Sequence, residues 1–187
     1  MPFSDPKTVI NHFNLTEGMT VADFGAGSGA YALAMARRVG ATGRVYAIDV
    51  QKELLARLAR EADLEVRLPK GSLASRIINV EVIWGDLERA GGSTLADQSV
   101  DFVLVANLLF QVSAKYTLAL EAKRILKPDG RLAVIDWQES FGGLGPPAPQ
   151  VTRPEEAKKI MVQAGFLFLK DFPAGDHHYG LMFVLSS

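Results

Sequence analysis

Residues 21–29 read Val-Ala-Asp-Phe-Gly-Ala-Gly-Ser-Gly, an apolar run interrupted by Asp23 that opens into alternating glycines, and Asp49 closes the next apolar run. Alternating glycines between a strand and a helix let the backbone approach a ligand closely, and an acid ending the next strand is placed to grip a ribose. These residue types at this spacing point to a nucleoside-bearing cofactor. Gly25, Gly27 and Ala30 also satisfy the G-x-G-x-x-A spacing of dinucleotide sites, so the glycines alone leave the cofactor open. Charge separates the two readings. Asp23 lies just before the first glycine, where a pyrophosphate at a helix N-terminus would meet a fixed negative charge and an ammonium group would be attracted. A third apolar run ends in Ile83-Trp84-Gly85-Asp86-Leu87, with another acid, and Lys127-Pro128-Asp129-Gly130 precedes a fifth.

The elements that must position these residues alternate between strand and helix. Asp5-Pro6 reads as an N-cap with proline at the first helical position, starting a short helix over 6–14. Strands are predicted at 21–24, 44–49, 80–84, 100–106 and 131–137, with helices over 30–39, 51–62 and 115–126. The runs 100–106 and 131–137 are nearly continuous in apolar residues, as expected when helices cover both faces of a parallel sheet, and they imply a doubly wound α/β sheet. Thr152 and Glu155 read as a capping box, with Pro154 inside the start of a helix that Gly165 ends. Runs over 166–172 and 179–185, joined by Pro173-Ala174-Gly175-Asp176, read as an antiparallel pair. From Leu64 to Asn79 the periodicity breaks at Pro69-Lys70-Gly71, and this stretch reads as an insertion. The glycine- and proline-rich stretch 141–149 reads as a long loop rather than a domain boundary, because residues 150–187 are too few to fold alone.

Composition narrows the classes. With 187 residues, a formal net charge of −1 and 48% hydrophobic residues, the chain suits one globular domain spanning 1–187. No apolar stretch reaches the roughly 18 to 20 residues of a membrane span, and the polar start with Ser4, Asp5 and Lys7 is unlike a secretory leader, so a cytoplasmic protein is expected. The absence of cysteine excludes disulfides, thiolate metal sites and cysteine nucleophiles, and 3 histidines leave little for zinc, so no metal is expected. Lys52, Arg57, Arg60, Arg67, Lys70 and Arg76 cluster in one region. Glu53, Glu61, Asp63 and Glu65 interleave with them, which reads as a solvated helix face rather than a nucleic-acid surface.

The order of the motifs resembles the class I S-adenosylmethionine-dependent methyltransferases. The stretches that carry the likeness are Asp23-Phe24-Gly25-Ala26-Gly27-Ser28-Gly29, Val45-Tyr46-Ala47-Ile48-Asp49, Gly85-Asp86-Leu87, Asp101-Phe102-Val103-Leu104-Val105-Ala106-Asn107 and Leu126-Lys127-Pro128-Asp129-Gly130. Within that class the likeness is to the branch of quinone-biosynthesis and other small-molecule methyltransferases. It implies a Rossmann-like, doubly wound seven-stranded sheet in the order 3-2-1-4-5-7-6, with strand 7 antiparallel and helices on both faces. It also implies S-adenosyl-L-methionine as cofactor and a small-molecule methyl acceptor. By motif, Asp23 would steer the methionine amino group, and Gly25, Gly27 and Gly29, with Ala26, would pass backbone beneath the cofactor. Asp49, beside Val50, would hold the ribose; Asp86 and Leu87, after Gly85, the adenine; Ala106 and Asn107 would line the sulfonium region. Tyr31 and Gln51 neighbour this set. An NAD(P)-dependent oxidoreductase and a non-catalytic S-adenosylmethionine-binding protein stay open as alternatives.

A general base is needed only if the acceptor is a hydroxyl or an acidic carbon. The candidates are Asp136, ending the fifth strand, and His177 and His178, beside Asp176 at the hairpin turn, which should rise on the same edge as the cofactor. Trp137, Phe110 and Tyr179 are aromatic faces for an acceptor or members of the core. After the fourth strand, Ala106-Asn107-Leu108-Leu109-Phe110 lacks the Pro-Pro-aromatic element with which adenine amino methyltransferases clamp a base. Without cysteine there is no attack on pyrimidine carbon six, nor is a likeness to the thiol-dependent arsenic methyltransferases expected. A small acceptor under the loop 138–153 remains, with Arg153 there to pair with an acidic one, in a monomer or a homodimer. Asp129-Gly130 is assigned no chemistry, since a turn before a strand is its ordinary role, and neither is Asp101, which begins a strand at the opposite end of the sheet.

Overall fold

The computed structural model describes residues 5–66 and 79–186. Its sheet contains five parallel strands: β1 (Thr20–Phe24), β2 (Arg44–Asp49), β3 (Val80–Trp84), β4 (Val100–Ala106) and β5 (Leu126–Trp137). β6 (Phe166–Pro173) and β7 (His178–Leu185) complete it, giving seven strands in the order β3-β2-β1-β4-β5-β7-β6. β7 runs antiparallel to both β5 and β6, so β6 points the same way as the parallel five, and the hairpin turn rises at the carboxyl edge.

Side-chain alternation sends each strand's apolar residues to two cores. Val21, Val45, Phe102, Leu104 and Ile135 face α1 (Pro6–Val9), α2 (Ala30–Val39) and α3 (Lys52–Val66). Ala22, Phe24, Val103, Val105 and Val134 face α4 (Lys115–Ile125) and α5 (Pro154–Gln163). Helices therefore cover both faces, which is why β4 and the second half of β5 read as nearly continuous apolar runs. Because β2 lies on one side of β1 and β4 on the other, the chain's direction of travel reverses between β1 and β4, and a crevice opens there beyond the strand ends.

Four local expectations need correction. The first helix is α-helical only through Val9 and tightens to a 3-10 turn at Ile10–Phe13, ended by Asn14 at φ 51°. α3 runs past residue 62 to Val66; residues 67–78, with Arg67, Lys70 and Arg76 and most of the expected insertion, lie outside the described residues. β5 starts at Leu126, which pairs with Val100 before Lys127–Gly130 bulges out and Arg131 resumes against Phe102. Thr152 and Glu155 form no capping box. Pro154 makes the residue before it extended, so Arg153 occupies the cap position, at ψ 155° and without a side-chain cap, while buried Thr152 uses its carbonyl to accept from the Tyr179 hydroxyl.

Behind β3 the chain is anchored to α4 by a buried acid. Glu121, 2% exposed, accepts from the N–H groups of Gly91 and Ser93, the Ser93 hydroxyl and Arg124, and Arg124 also reaches Asp97. Burial by itself would raise the Glu121 pKa, but the donors from Arg124, Ser93 and Gly91 together outweigh it and hold the carboxyl at about 2. A carboxyl depressed in the folded state contributes stability above its unfolded pKa near 4.5, and that contribution is lost as pH falls toward 2. Glu121→Gln is expected to lower unfolding free energy at pH 7 by roughly 2–3 kcal/mol and to flatten the decline in stability between about pH 5 and pH 2, both read by urea unfolding.

Candidate functional site

The glycine turn after β1 is held by backbone. Gly25 and Ala26 donate to the Ile48 carbonyl at 2.9 and 3.0 Å, and Gly27, at φ 54°, donates to Asp49 Oδ2 at 2.9 Å. Asp49 Oδ1 accepts from the Gln51 N–H, and the Asp49 carbonyl from the Gly85 N–H. These contacts bring the ends of β1, β2 and β3 together around a cleft with about 780 Å³ of empty space, its open mouth included. Gly25, Gly27, Asp49, Val50, Gly85, Asp86 and Leu87 line it, as does Gln51. Asp86 accepts from the Glu88 N–H and pairs with Arg89, and its loop is tight: a Cβ on Gly92 would strike the Asp86 carbonyl.

Asp23, Ala26, Gly29, Ala106 and Asn107 are not in that lining. Gly29 is the N-cap of α2 at φ 89°, and a Cβ there would collide with Leu58 of α3, so its smallness serves helix packing. Conversely, Leu54, Glu88, Leu108, Gln111 and Val112 line the cleft although no sequence motif marks them. Glu88 directly follows the Asp86-Leu87 pair and Leu108 follows Asn107, a signal of adjacency. Leu54 is legible in the sequence only as part of an apolar helix face.

Asp23 lies in β1 opposite Leu104, and Asn107 directly follows the carboxyl end of the neighbouring strand β4. Among the described residues, Asp23 Oδ2 and Asn107 Oδ1 are the buried side-chain polar atoms without a hydrogen-bond partner. Both are acceptors, so the group that satisfies them is a donor; an ammonium offers three N–H donors and no acceptor. Burial, opposed by the Ala32 N–H and reinforced by the charge of Asp49, pushes the Asp23 carboxyl up to about 8. Such a carboxyl is poised for a cation that returns the stabilisation it lost with water.

The candidate bases differ in what already occupies them. Asp136 is fully buried and accepts from the Leu109 and Trp137 N–H groups at 2.8 Å; burial raises its pKa to about 6 against donors from Trp137, Leu109 and Phe110. It organises the turn after β4 and has no exposed surface for an acceptor. The buried His178 ring lies 4.3 Å from Trp137, and its Nδ1 is 2.9 Å from the Asp176 carbonyl, to which it donates; burial lowers its pKa. Tyr179 is core. His177 is a rim residue at φ 63°, its Nδ1 2.7 Å from Glu139 Oε1 and its ring stacked 3.7 Å from Phe141. Beside Glu139, the loop 138–153 encloses a hollow lined by Gln138, Ser140, Ala148, Val151 and Arg153. Asp101 lies at the other end of the sheet, accepting from the Thr20 N–H and pairing with Lys127. No helix among the described residues is long and apolar enough to cross a membrane.

A family model described as a methyltransferase domain matches residues 22–134. A crystal structure of an S-adenosylmethionine-dependent methyltransferase from Aquifex aeolicus is 31% identical, covers 97% of this chain and 89% of its own, and superposes with a TM-score of 0.83. The ubiquinone/menaquinone biosynthesis C-methyltransferase UbiE of Bordetella avium is 33% identical over 137 residues, which is 73% of this chain and 48% of that protein. An arsenite methyltransferase of Aquipseudomonas alcaligenes is 36% identical over 123 residues, 65% of this chain and 34% of that protein. The chain thus spans between a third and a half of the length of these two relatives. The likeness to the arsenite methyltransferase corrects the expectation that a cysteine-free chain cannot resemble arsenic methyltransferases: the match runs over 123 residues of a chain that contains no cysteine. With matching sheet order, glycine turn and strand-end acids, the chain belongs to the methyltransferase domain family, as a class I S-adenosylmethionine-dependent member.

Proposed function

We propose that this chain transfers a methyl group from S-adenosylmethionine to a small-molecule acceptor in the cytoplasm, as a monomer or homodimer. The observation that carries the reading is the pair of buried, unpartnered acceptors, Asp23 Oδ2 and Asn107 Oδ1, beyond the glycine turn. They fit the ammonium of a methionine moiety, whereas a pyrophosphate, whose oxygens only accept, would leave both unmet, which disfavours the dinucleotide alternative. Asp49 commits one acceptor position per oxygen to backbone N–H groups and retains lone pairs for ribose hydroxyls. Asp86 and the apolar Leu87 supply the adenine end of the same cleft. The quinone and arsenite relatives both act on small molecules by name, which supports a small acceptor here.

When bound, S-adenosylmethionine supplies a methyl carbon already activated as a sulfonium, so the protein's work is alignment and exclusion of water. For a hydroxyl or acidic-carbon acceptor, His177 is the base of this reading: Glu139 Oε1 lies 2.7 Å from its Nδ1 and the stacked Phe141 fixes the ring plane. The hollow beside Glu139 would receive the acceptor, with Arg153 facing an acidic one.

Calorimetry is expected to show binding of S-adenosylhomocysteine and not of nicotinamide dinucleotides. Because Asp23 in the free protein titrates at about 8 and must be charged to meet an ammonium, binding at pH 7 should release about one proton, and affinity should rise up to roughly tenfold per pH unit until about pH 8. Asp23→Asn should abolish the proton release and weaken S-adenosylhomocysteine roughly 10- to 100-fold, while raising the melting temperature of the free protein above pH 8, where wild type carries a buried charge. His177→Gln should leave that affinity unchanged and lower methyl transfer to phenolic and quinol acceptors by at least about 10²-fold, followed with a radiolabelled donor. An unchanged rate would remove His177 from the chemistry.

A further inference from the structure

Glu88 lines the donor cleft on the β3 side, yet its hydrogen bonds go to the opposite wall. Its Oε1 accepts from the Ser113 N–H at 2.7 Å, the Ser113 hydroxyl at 2.7 Å and the Ala114 N–H at 2.8 Å. Ala114 is the N-cap of α4 and has no side chain with which to cap it, so an acid 26 residues upstream does so instead. Between β4 and α4, Leu108, Gln111 and Val112 face the cleft, and Leu108 packs so closely over Gly25 that a Cβ there would lie 2.9 Å from it. The buried end of this segment is fastened by Asp136 through the Leu109 N–H, and Gln111 Nε2 closes an internal bond to the Asn107 carbonyl at 2.6 Å. Its other end, exposed to solvent, has Glu88.

We propose that Glu88 is a positioning residue that latches the 107–114 wall across the donor cleft, so that donor affinity depends on a contact the donor does not itself make. This rests on the reading of the cleft as the donor site. One carboxylate oxygen with three donors is a strong, charge-assisted junction between two loops on opposite sides of the cleft. Releasing it frees Leu108, Gln111 and Val112 to move away from the glycine turn, and the donor must then re-order them on binding. A helix cap with no further role predicts a lower melting temperature alone.

The test compares wild type, Glu88→Ala, Glu88→Gln and Ser113→Ala, with Lys127→Ala as a control that removes an ion pair at the opposite end of the sheet. Hydrogen exchange on the free proteins is expected to show amides of 108–118 exchanging at least about tenfold faster in Glu88→Ala, with partial recovery in Glu88→Gln. Calorimetry with S-adenosylhomocysteine should show about tenfold weaker binding in Glu88→Ala, a smaller loss in Ser113→Ala and none in Lys127→Ala. Unchanged exchange over 108–118 overturns the latch. Faster exchange with wild-type affinity overturns its coupling to the donor. Should Glu88→Ala fail to fold, Ser113→Ala and Glu88→Gln decide by the same two readouts. Wild type that does not bind S-adenosylhomocysteine sinks the donor-site reading, and the exchange data then judge the latch separately.

Discussion

Asp49 joins three loops at once. Its two carboxylate oxygens take the N–H groups of Gly27 and Gln51, and its carbonyl takes that of Gly85. The glycine turn, the approach to α3 and the loop after β3 therefore hold one fixed relation at the edge where the sheet changes direction. Only an acid satisfies this junction from the side-chain side, because both backbone groups it meets are donors and an amide nitrogen would oppose one of them. A positive φ at Gly27 is what aims its N–H inward. The cleft exists because these loops are tied to one another rather than to solvent.

Around this junction the carboxyl edge carries a set of acids that look alike in sequence and differ in what already satisfies them. Asp136 is sealed by backbone donors of the turn after β4, Glu88 by the start of α4, Asp86 by the N–H of Glu88 and the Arg89 guanidinium. Asp23 stands apart, buried with one oxygen unmet. Folding thus leaves an unfavourable desolvation at one carboxyl oxygen of this edge, a cost that a donor group placed there would offset. The same logic separates the bases: Asp136 has its lone pairs committed to structure, whereas His177 is oriented by the Glu139 carboxylate and the stacked Phe141 ring.

The two sides of the edge are built from different materials. The cleft side is short loops tied to one another by backbone N–H groups and the Asp49 and Glu88 carboxylates. On the other side, the loop 138–153 carries glycines 142, 143 and 145 at positive φ and a hollow of its own beside the Glu139–His177 pair. Gly145 packs against the Trp137 ring too closely for any Cβ, so the loop is seated on β5 at that point, while a Cβ at Gly142 or Gly143 would meet open space. Such a loop can differ in length and content without disturbing the sheet beneath it.

By itself the amino-acid sequence determined the strands, their order through the family likeness, and the acids that end β1, β2 and β3. Runs such as 44–49 and 100–106 are legible because a strand covered on both faces is apolar along most of its length, and turns because Pro fixes φ and Gly permits positive φ. What only the tertiary structure decided was which groups are neighbours across loops: Gly29 against Leu58, Leu108 over Gly25, Glu88 beneath α4, Arg153 rather than Thr152 at the cap of α5, and Leu126 drawn into β5 by Val100. The physical reason is range. Propensity and turn chemistry act over a few residues, whereas the occupancy of a lone pair or the lining of a cleft is set by chain segments that crossover connections bring together from far apart in sequence.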